Sequence, residues 1–242
     1  MTAHRSESLD RRTLLFSTAA FGAAASLAAP GLLAGAEPKK KRESEEEVSP
    51  AEDLMREHGA LNRILLLYDN ALVRFEARQD FPPDVLASAA GIVRRFIEEY
   101  HEKLEEQHLF PRFEKAGKLV DLVHTLKRQH EAGRALTAQI ERGATLAGLR
   151  DAGERSKTLR SLRLFIRMYR PHEAREDTVL FPALHGIVSP NEYDALGEEF
   201  ENQEHKLFGE DGFEKVVAQI AELEKKVGLY DLAQFTPVAP SR

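Results

Sequence analysis

Apolar residues recur along this chain in alternating steps of four and three from residue 54 to residue 180. That is the period of a helix face packed against other helices. The first stretch turns Leu54, His58, Leu61, Leu65, Tyr68, Leu72 and Phe75 inward. Ser49-Pro50-Ala51-Glu52 ahead of it is a capping box with proline at the first helical position. Phe81-Pro82-Pro83 behind it breaks the chain. The second stretch starts near Asp84 and turns in Leu86, Ala90, Val93, Ile97, His101, Leu104 and His108. Pro111 is expected to end or kink it, with Leu109-Phe110-Pro111 as its closing end and Gly117 as a stop. The third covers residues 118–142, with Leu119, Val123, Leu126, His130, Gly133, Thr137 and Ile140 inward. Residues 143–153 read as a loop. The fourth starts near Glu154 and carries Leu159, Leu162, Phe165 or Ile166, Tyr169, His172, Glu176 and Leu180, with a kink expected at Pro171. Ser189-Pro190-Asn191-Glu192 repeats the first start signal. It opens a further helical segment, interrupted at Gly209-Glu210-Asp211-Gly212 and resumed to about Lys226, before an irregular tail with Pro237 and Pro240. The pattern predicts an all-α fold: an antiparallel up-down four-helix bundle over residues 49–186, then a helical extension and tail over residues 187–242.

Composition narrows the chemistry. The 242 residues include no cysteine, which removes disulfides and thiolate metal sites, so any metal must rely on His and carboxylate. A net charge of −6 argues against nucleic acid as the main partner. No P-loop, Gly-x-Gly-x-x-Gly or Ser/His/Asp arrangement is evident.

The N-terminus reads as a targeting segment. Asp10-Arg11-Arg12-Thr13-Leu14-Leu15 leads into a weakly apolar run rich in Ala and Gly, and Ala34-Gly35-Ala36 supplies a small-x-small cleavage pattern. This resembles a twin-arginine export signal over residues 1–36. The resemblance implies the twin-arginine export machinery as a partner, export in the folded state and a bacterial periplasmic location, with no stable membrane insertion once the signal is cleaved. The alternative is a membrane anchor left uncleaved, which Pro30 and the many small residues weaken. Residues 37–48 are a charge-blocked linker.

Polar residues inside the apolar pattern carry the candidate chemistry. His101-Glu102-Lys103-Leu104-Glu105-Glu106 recurs as His172-Glu173-Ala174-Arg175-Glu176-Asp177, each time followed by Leu-Phe-Pro, at an offset of 71 residues. Arg56-Glu57-His58 recurs as Arg128-Gln129-His130, 72 residues on. The chain is therefore an internal duplication. A His and a Glu four apart share one helix face, about one turn or ~6 Å along the axis. His101 with Glu105, and His172 with Glu176, thus point inward together, and His58 and His130 add one imidazole each. Buried carboxylates are costly unless compensated. Two among four imidazoles make sense with cations between them, each Glu bridging two metals. Such donors suit iron or manganese; zinc would not need bridging carboxylates.

These residues carry a family resemblance over about residues 52–184. The paired His, then His-x-x-x-Glu before Leu-Phe-Pro, resembles the hemerythrin-like (HHE cation-binding) domain. The resemblance implies two bound iron ions, bridged by Glu105 and Glu176 and completed by His58, His101, His130 and His172. Oxygen-carrying hemerythrins have a fifth His four residues from one ligand. Here Leu126, Arg134 and Asn62 stand at such positions, which puts reversible oxygen carriage in doubt. Glu102 and Glu173, each directly after a ligand-type His, are the candidates for an added donor; otherwise they are ion-pair residues around the site. An added carboxylate favours ferric iron.

His108 lies two turns from His101 on the same face, but its counterpart is Val179, so it reads as core or as support to the site. His205 reads as exposed, with a lid or spare ligand as the alternative. Tyr100 and Tyr169 are candidate electron donors or core residues. His124 and His185 carry no signal. The functional expectation is an exported di-iron protein that interacts with dioxygen or a related small oxidant, or handles or senses iron. A metal- and oxygen-binding role is preferred to catalysis. A di-iron oxidase or peroxidase, and a helical interaction module with a structural metal, are the alternatives. The C-terminal extension is the candidate docking place for a protein partner.

Overall fold

The computed structural model describes residues 48–237. The export-type segment at 1–36, the linker up to residue 47 and the last five residues, with Pro240, lie outside the described residues.

All regular structure among the described residues is helical. Helix α1, Pro50–Glu76, starts where the Ser49 hydroxyl accepts the Glu52 N–H at 3.2 Å. Helix α2 runs through residues 83–116 and alternates between α and π turns: Pro83–Ile92 is α, Val93–His101 π, Glu102–Leu104 α, Glu105–Leu109 π and Phe110–Ala116 α. Gly117, at φ 63°, closes it in the left-handed conformation. Helix α3 is Val120–Gly143 and the short α4 is Leu146–Arg150. Helix α5 covers residues 152–184, with Ala152–Arg175 α, Glu176–Leu180 π and Phe181–Leu184 α. Helices α6, Pro190–Phe208, and α7, Gly212–Val227, form the extension.

Several sequence expectations change. Leu109-Phe110-Pro111 does not close α2, which continues to Ala116. Proline lacks the N–H that an α-helical ladder needs. A π turn directly before it has already shifted the register, with the Phe110 N–H bonding back to Glu105 O. The second repeat does the same at Phe181 and Glu176. Pro171 lies inside the α-helical run of α5, as expected. The loop at 143–153 contains α4, capped by the Thr145 hydroxyl, and α5 begins earlier than expected because Asp151 caps it through the Glu154 N–H. Leu119 adopts φ 53°, so α3 begins at Val120. The tail includes a 3-10 turn, Leu232–Phe235.

Helices α1, α2, α3 and α5 pack as a ring, α1 against α2 and α5, and α3 against α2 and α5. Their inward faces make the core, with Leu54, Tyr68, Val93, Phe110, Phe113, Phe165 and Phe181 fully buried. Two glycines let α3 and α5 approach: a Cβ at Gly133 would stand 2.0 Å from the Tyr169 hydroxyl, and one at Gly143 would stand 1.8 Å from Thr158 Oγ1. Helices α6 and α7 lie against α1 and α2. No helix among the described residues is long and apolar enough to cross a membrane.

Candidate metal centre

Each long helix delivers its polar core residues to one level of the ring. His58 comes from α1, His101 and Glu105 from α2, His130 from α3, and His172 and Glu176 from α5. All six are buried. They form two triads, His58–His101–Glu105 and His130–His172–Glu176, and the donor atoms within each lie within 4.8 Å of one another. The carboxylates also link the triads. Glu105 Oε2 is 3.8 Å from His101 Nε2 and 3.4 Å from His130 Nε2. Glu176 Oε2 is 3.0 Å from His172 Nε2 and 3.5 Å from His58 Nε2. Each carboxylate thus touches one imidazole of either triad. The six sequence-predicted residues are brought together as a set.

Each histidine is aimed by its other nitrogen. His101 Nδ1 donates to Glu57 Oε2 at 2.6 Å, His58 Nδ1 to Asp177 Oδ1 at 2.7 Å, His130 Nδ1 to Glu106 Oε1 at 3.1 Å, and His172 Nδ1 to Gln129 Oε1 at 2.9 Å. With Nδ1 carrying the proton, Nε2 presents a lone pair to the centre. Burial, then the charges of the other three imidazoles, hold His101 well below the ordinary histidine range, in its neutral donor form. Burial alone would also lower His58, but the Asp177 hydrogen bond and the Glu176 charge outweigh it and raise it.

Sequence reasoning did not assign these four supports. Their signal was present, since Glu57 and Gln129 directly precede the paired histidines, and Glu106 and Asp177 directly follow the paired glutamates.

The protein's own groups do not satisfy one another at the centre. Both oxygens of Glu105, both oxygens of Glu176 and His130 Nε2 are buried without a hydrogen-bond partner. Burial, and after it the facing Glu176 carboxylate, push Glu105 well above the ordinary carboxyl range. Native proteins rarely leave such groups unpaired. Four imidazoles and two carboxylates around those orphaned atoms fit cations of intermediate hardness.

The next residues on α2 and α5 point elsewhere. Glu102 is tied down twice: Tyr169 donates to its Oε1 at 2.7 Å and Arg134 Nη2 lies 2.7 Å from its Oε2. Glu102, Glu106 and His130 also converge, but the Arg134 guanidinium already reaches both carboxylates. Glu173 accepts from the Asn62 amide through Oε2, and its Oε1 has no partner. Neither Glu102 nor Glu173 belongs to the two histidine–glutamate triads.

His108 leaves the inward face because the π turn rotates α2 by about one residue. Leu109 is buried in its place, and the His108 ring packs 5.8 Å from Phe200 of α6. His205 is exposed. His124 pairs with Glu114 at 3.5 Å, and His185 lies 4.0 Å from the Tyr193 ring. Tyr100 and Tyr169 are buried; the Tyr169 ring is 5.3 Å from His172. A cleft of about 530 Å³ between α3 and α5, lined by Leu122, Leu126, Gln129, Arg175 and Val179, reaches His172.

Known proteins share these features. The chain is 48% identical over 200 residues to the uncharacterized proteins Rv1995 and MT2051 of two Mycobacterium tuberculosis strains and to Mb2018 of Mycobacterium bovis. Each alignment covers 83% of this chain and 78% of the relative. No solved structure matches. The profile of the hemerythrin HHE cation binding domain matches residues 49–184, more than half of the chain, and again residues 121–210, which takes in α6. The chain belongs to the hemerythrin HHE cation binding domain family.

Proposed function

We propose that this chain is an exported di-iron protein of hemerythrin-like type that meets dioxygen or a related small oxidant, or handles or senses iron. The observation that carries the reading is the set of four buried, unpartnered oxygens of Glu105 and Glu176, set between imidazoles of both triads. His58, His101 and Glu105 would hold one iron, and His130, His172 and Glu176 the other. The ring of four long helices supports the family's antiparallel up-down bundle, with residues 49–186 as its extent and residues 187–242 as an added segment. Arg11-Arg12 and the apolar run behind them support the twin-arginine route to the periplasm.

Bound iron would supply reversible electron transfer and an open position for a small oxidant. The protein's own part is to orient and to exclude. Glu57, Asp177, Glu106 and Gln129 fix the four Nε2 atoms on the centre. Phe110 and Phe181 stack on His130 and His58 at 5.5 and 5.6 Å and keep water off that side. The cleft beside His172 supports an approach for a small molecule. Glu102, held by Tyr169 and Arg134, and Glu173, held by Asn62, stand as support rather than as added donors.

One observation favours a second reading, a di-iron oxidase or peroxidase. Tyr169 stands next to His172 and hydrogen-bonds Glu102, a place from which a phenol can deliver an electron. Exposing the reduced, iron-loaded protein to oxygen separates the two. Release of unchanged oxygen under vacuum supports binding. Repeated oxygen consumption with an added reductant supports turnover. An iron-free protein purified from iron-replete cells, unable to take up iron afterwards, refutes both.

A further inference from the structure

The hydrogen bonds that aim the histidines differ in charge between the two triads. In the first triad, His101 Nδ1 donates to Glu57 Oε2 at 2.6 Å and His58 Nδ1 to Asp177 Oδ1 at 2.7 Å. Both acceptors are carboxylates, and among the described residues neither is salt-bridged to a Lys or Arg. Arg56, the cation whose charge reaches Glu57, is engaged by Asp53 at 3.6 Å and by Glu214 at 3.5 Å. Glu173 is a third acid whose charge reaches His58, and its hydrogen-bond partner is the neutral Asn62 amide.

The second triad is backed differently. His172 Nδ1 donates to the uncharged Gln129 amide oxygen at 2.9 Å. His130 Nδ1 reaches Glu106 Oε1 at 3.1 Å, the longest of the four bonds. That carboxylate is already neutralised, because Arg134 donates to the same oxygen at 2.5 Å and Lys103 to Oε2 at 2.6 Å. Arg134 reaches Glu102 as well, so two acids face two bases beside His130. Gln129 holds the position in Arg128-Gln129-His130 that Glu57 holds in Arg56-Glu57-His58. The duplicated pattern therefore differs at a residue that sets this charge. Of the six inward residues, His172 is the one that lines the cleft between α3 and α5, and Gln129 lines it too.

We propose that the two cation places are unequal: the first triad holds a resident iron ion, and the second, backed by Gln129 and a neutralised Glu106, holds an exchangeable one. This rests on the di-iron reading and deepens it toward iron handling. A carboxylate that accepts from Nδ1–H makes the imidazole a stronger donor at Nε2 and adds negative charge near the ion, whereas an amide oxygen only orients the ring. Glu105 and Glu176 do not create the difference, since each touches one imidazole of either triad. Supporting groups of this kind are worth about 10- to 100-fold in metal affinity, so the second place should bind at least about tenfold more weakly. The cleft gives its ion a route to solvent on the His172 side. Gln129 is thus a positioning residue that acts on the ion through His172.

The test is anaerobic titration of Fe2+ into the full metal-free chain against a competing chelator, with bound iron counted at each step. Two steps of one ion each are expected, about tenfold or more apart. Repulsion between two ions also separates steps, so two variants assign them. Gln129→Glu should strengthen the weaker step about tenfold and leave the tighter one in place, a gain that a merely structural residue would not give. Glu57→Gln should weaken the tighter step by a similar factor. A Gln129→Glu chain that binds two Fe2+ with wild-type affinities, or more weakly, overturns the proposal. So does a Glu57→Gln chain in which only the weaker step is lost. A wild-type chain that takes up no Fe2+ overturns the di-iron reading as well, so the two failures are told apart by the iron count.

Discussion

Replacing Glu105 with Met should make the metal-free protein more stable while removing its capacity for a full centre. Glu105 is entirely buried and neither carboxyl oxygen has a hydrogen-bond partner. A buried polar group left unsatisfied costs about 1–3 kcal/mol. Met has a similar length, no charge and adaptable packing, and imperfect fit costs under about 1.5 kcal/mol. The net for the metal-free chain is then a gain centred on about 1 kcal/mol. At ~2–4 °C per kcal/mol for a chain of this size, the melting temperature rises by a few degrees. Thermal unfolding followed by circular dichroism in excess chelator measures it. With metal supplied the order should invert. Wild type gains about 4 kcal/mol when free metal stands at a thousandfold its dissociation constant, and Glu105→Met gains much less. A metal-free Glu105→Met protein that melts below metal-free wild type refutes the reasoning, because the carboxyl would then be compensated by the protein itself.

Further outcomes follow from the same geometry. Burial raises Glu102 and Glu173 to about 8 and Asp53 to about 6, above their unfolded values near 4. The folded metal-free chain therefore holds carboxyl protons that the unfolded chain has lost, and its stability should fall as pH rises from about 6.5 to 8, above the range in which the lowered His101 and His130 act in the opposite sense; denaturant midpoints that climb over this range would contradict this. Asp177→Ala removes the Nδ1 partner of His58 and should weaken metal binding about 10- to 100-fold, as read by competition with a chelator. Glu102→Gln should leave metal content and visible spectrum unchanged, because Tyr169 and Arg134 hold that carboxylate; loss of one metal would make Glu102 a ligand. Gly133→Ala should destabilise by about 1–3 kcal/mol through collision with the Tyr169 hydroxyl, despite a helix-propensity gain of about 1 kcal/mol, and a higher unfolding midpoint would refute the close approach of α3 and α5.

The helical ring and the six converging residues were legible because a duplicated pattern marks them twice. His58 and His130 break an apolar face at equivalent positions, and His101-x-x-x-Glu105 recurs as His172-x-x-x-Glu176. Less legible was the π register of α2 and α5. A π turn has no composition of its own, and Glu105–Leu109 and Glu176–Leu180 read as ordinary helix ahead of a proline. That register explains two misplacements: helix closure at Pro111, and His108 on the inward face. Local cap geometry decided the rest. Thr145 and Asp151 are ordinary loop residues in the sequence, yet each caps a helix that shortens the expected loop. The partners of Glu102 and Glu173 were beyond sequence reasoning for another reason. Arg134 and Asn62 occupy equivalent places in the two halves, and only their packing shows that both turn to those carboxyls.

The most direct test of a dinuclear iron centre is the metal count and visible spectrum of the protein purified from iron-replete cells, before and after oxygen. Two irons per chain and an oxygen-dependent ferric absorption are the expected result, both lost in Glu176→Gln. Fewer than one iron per chain after reloading, or a zinc-filled and colourless protein, would contradict the account.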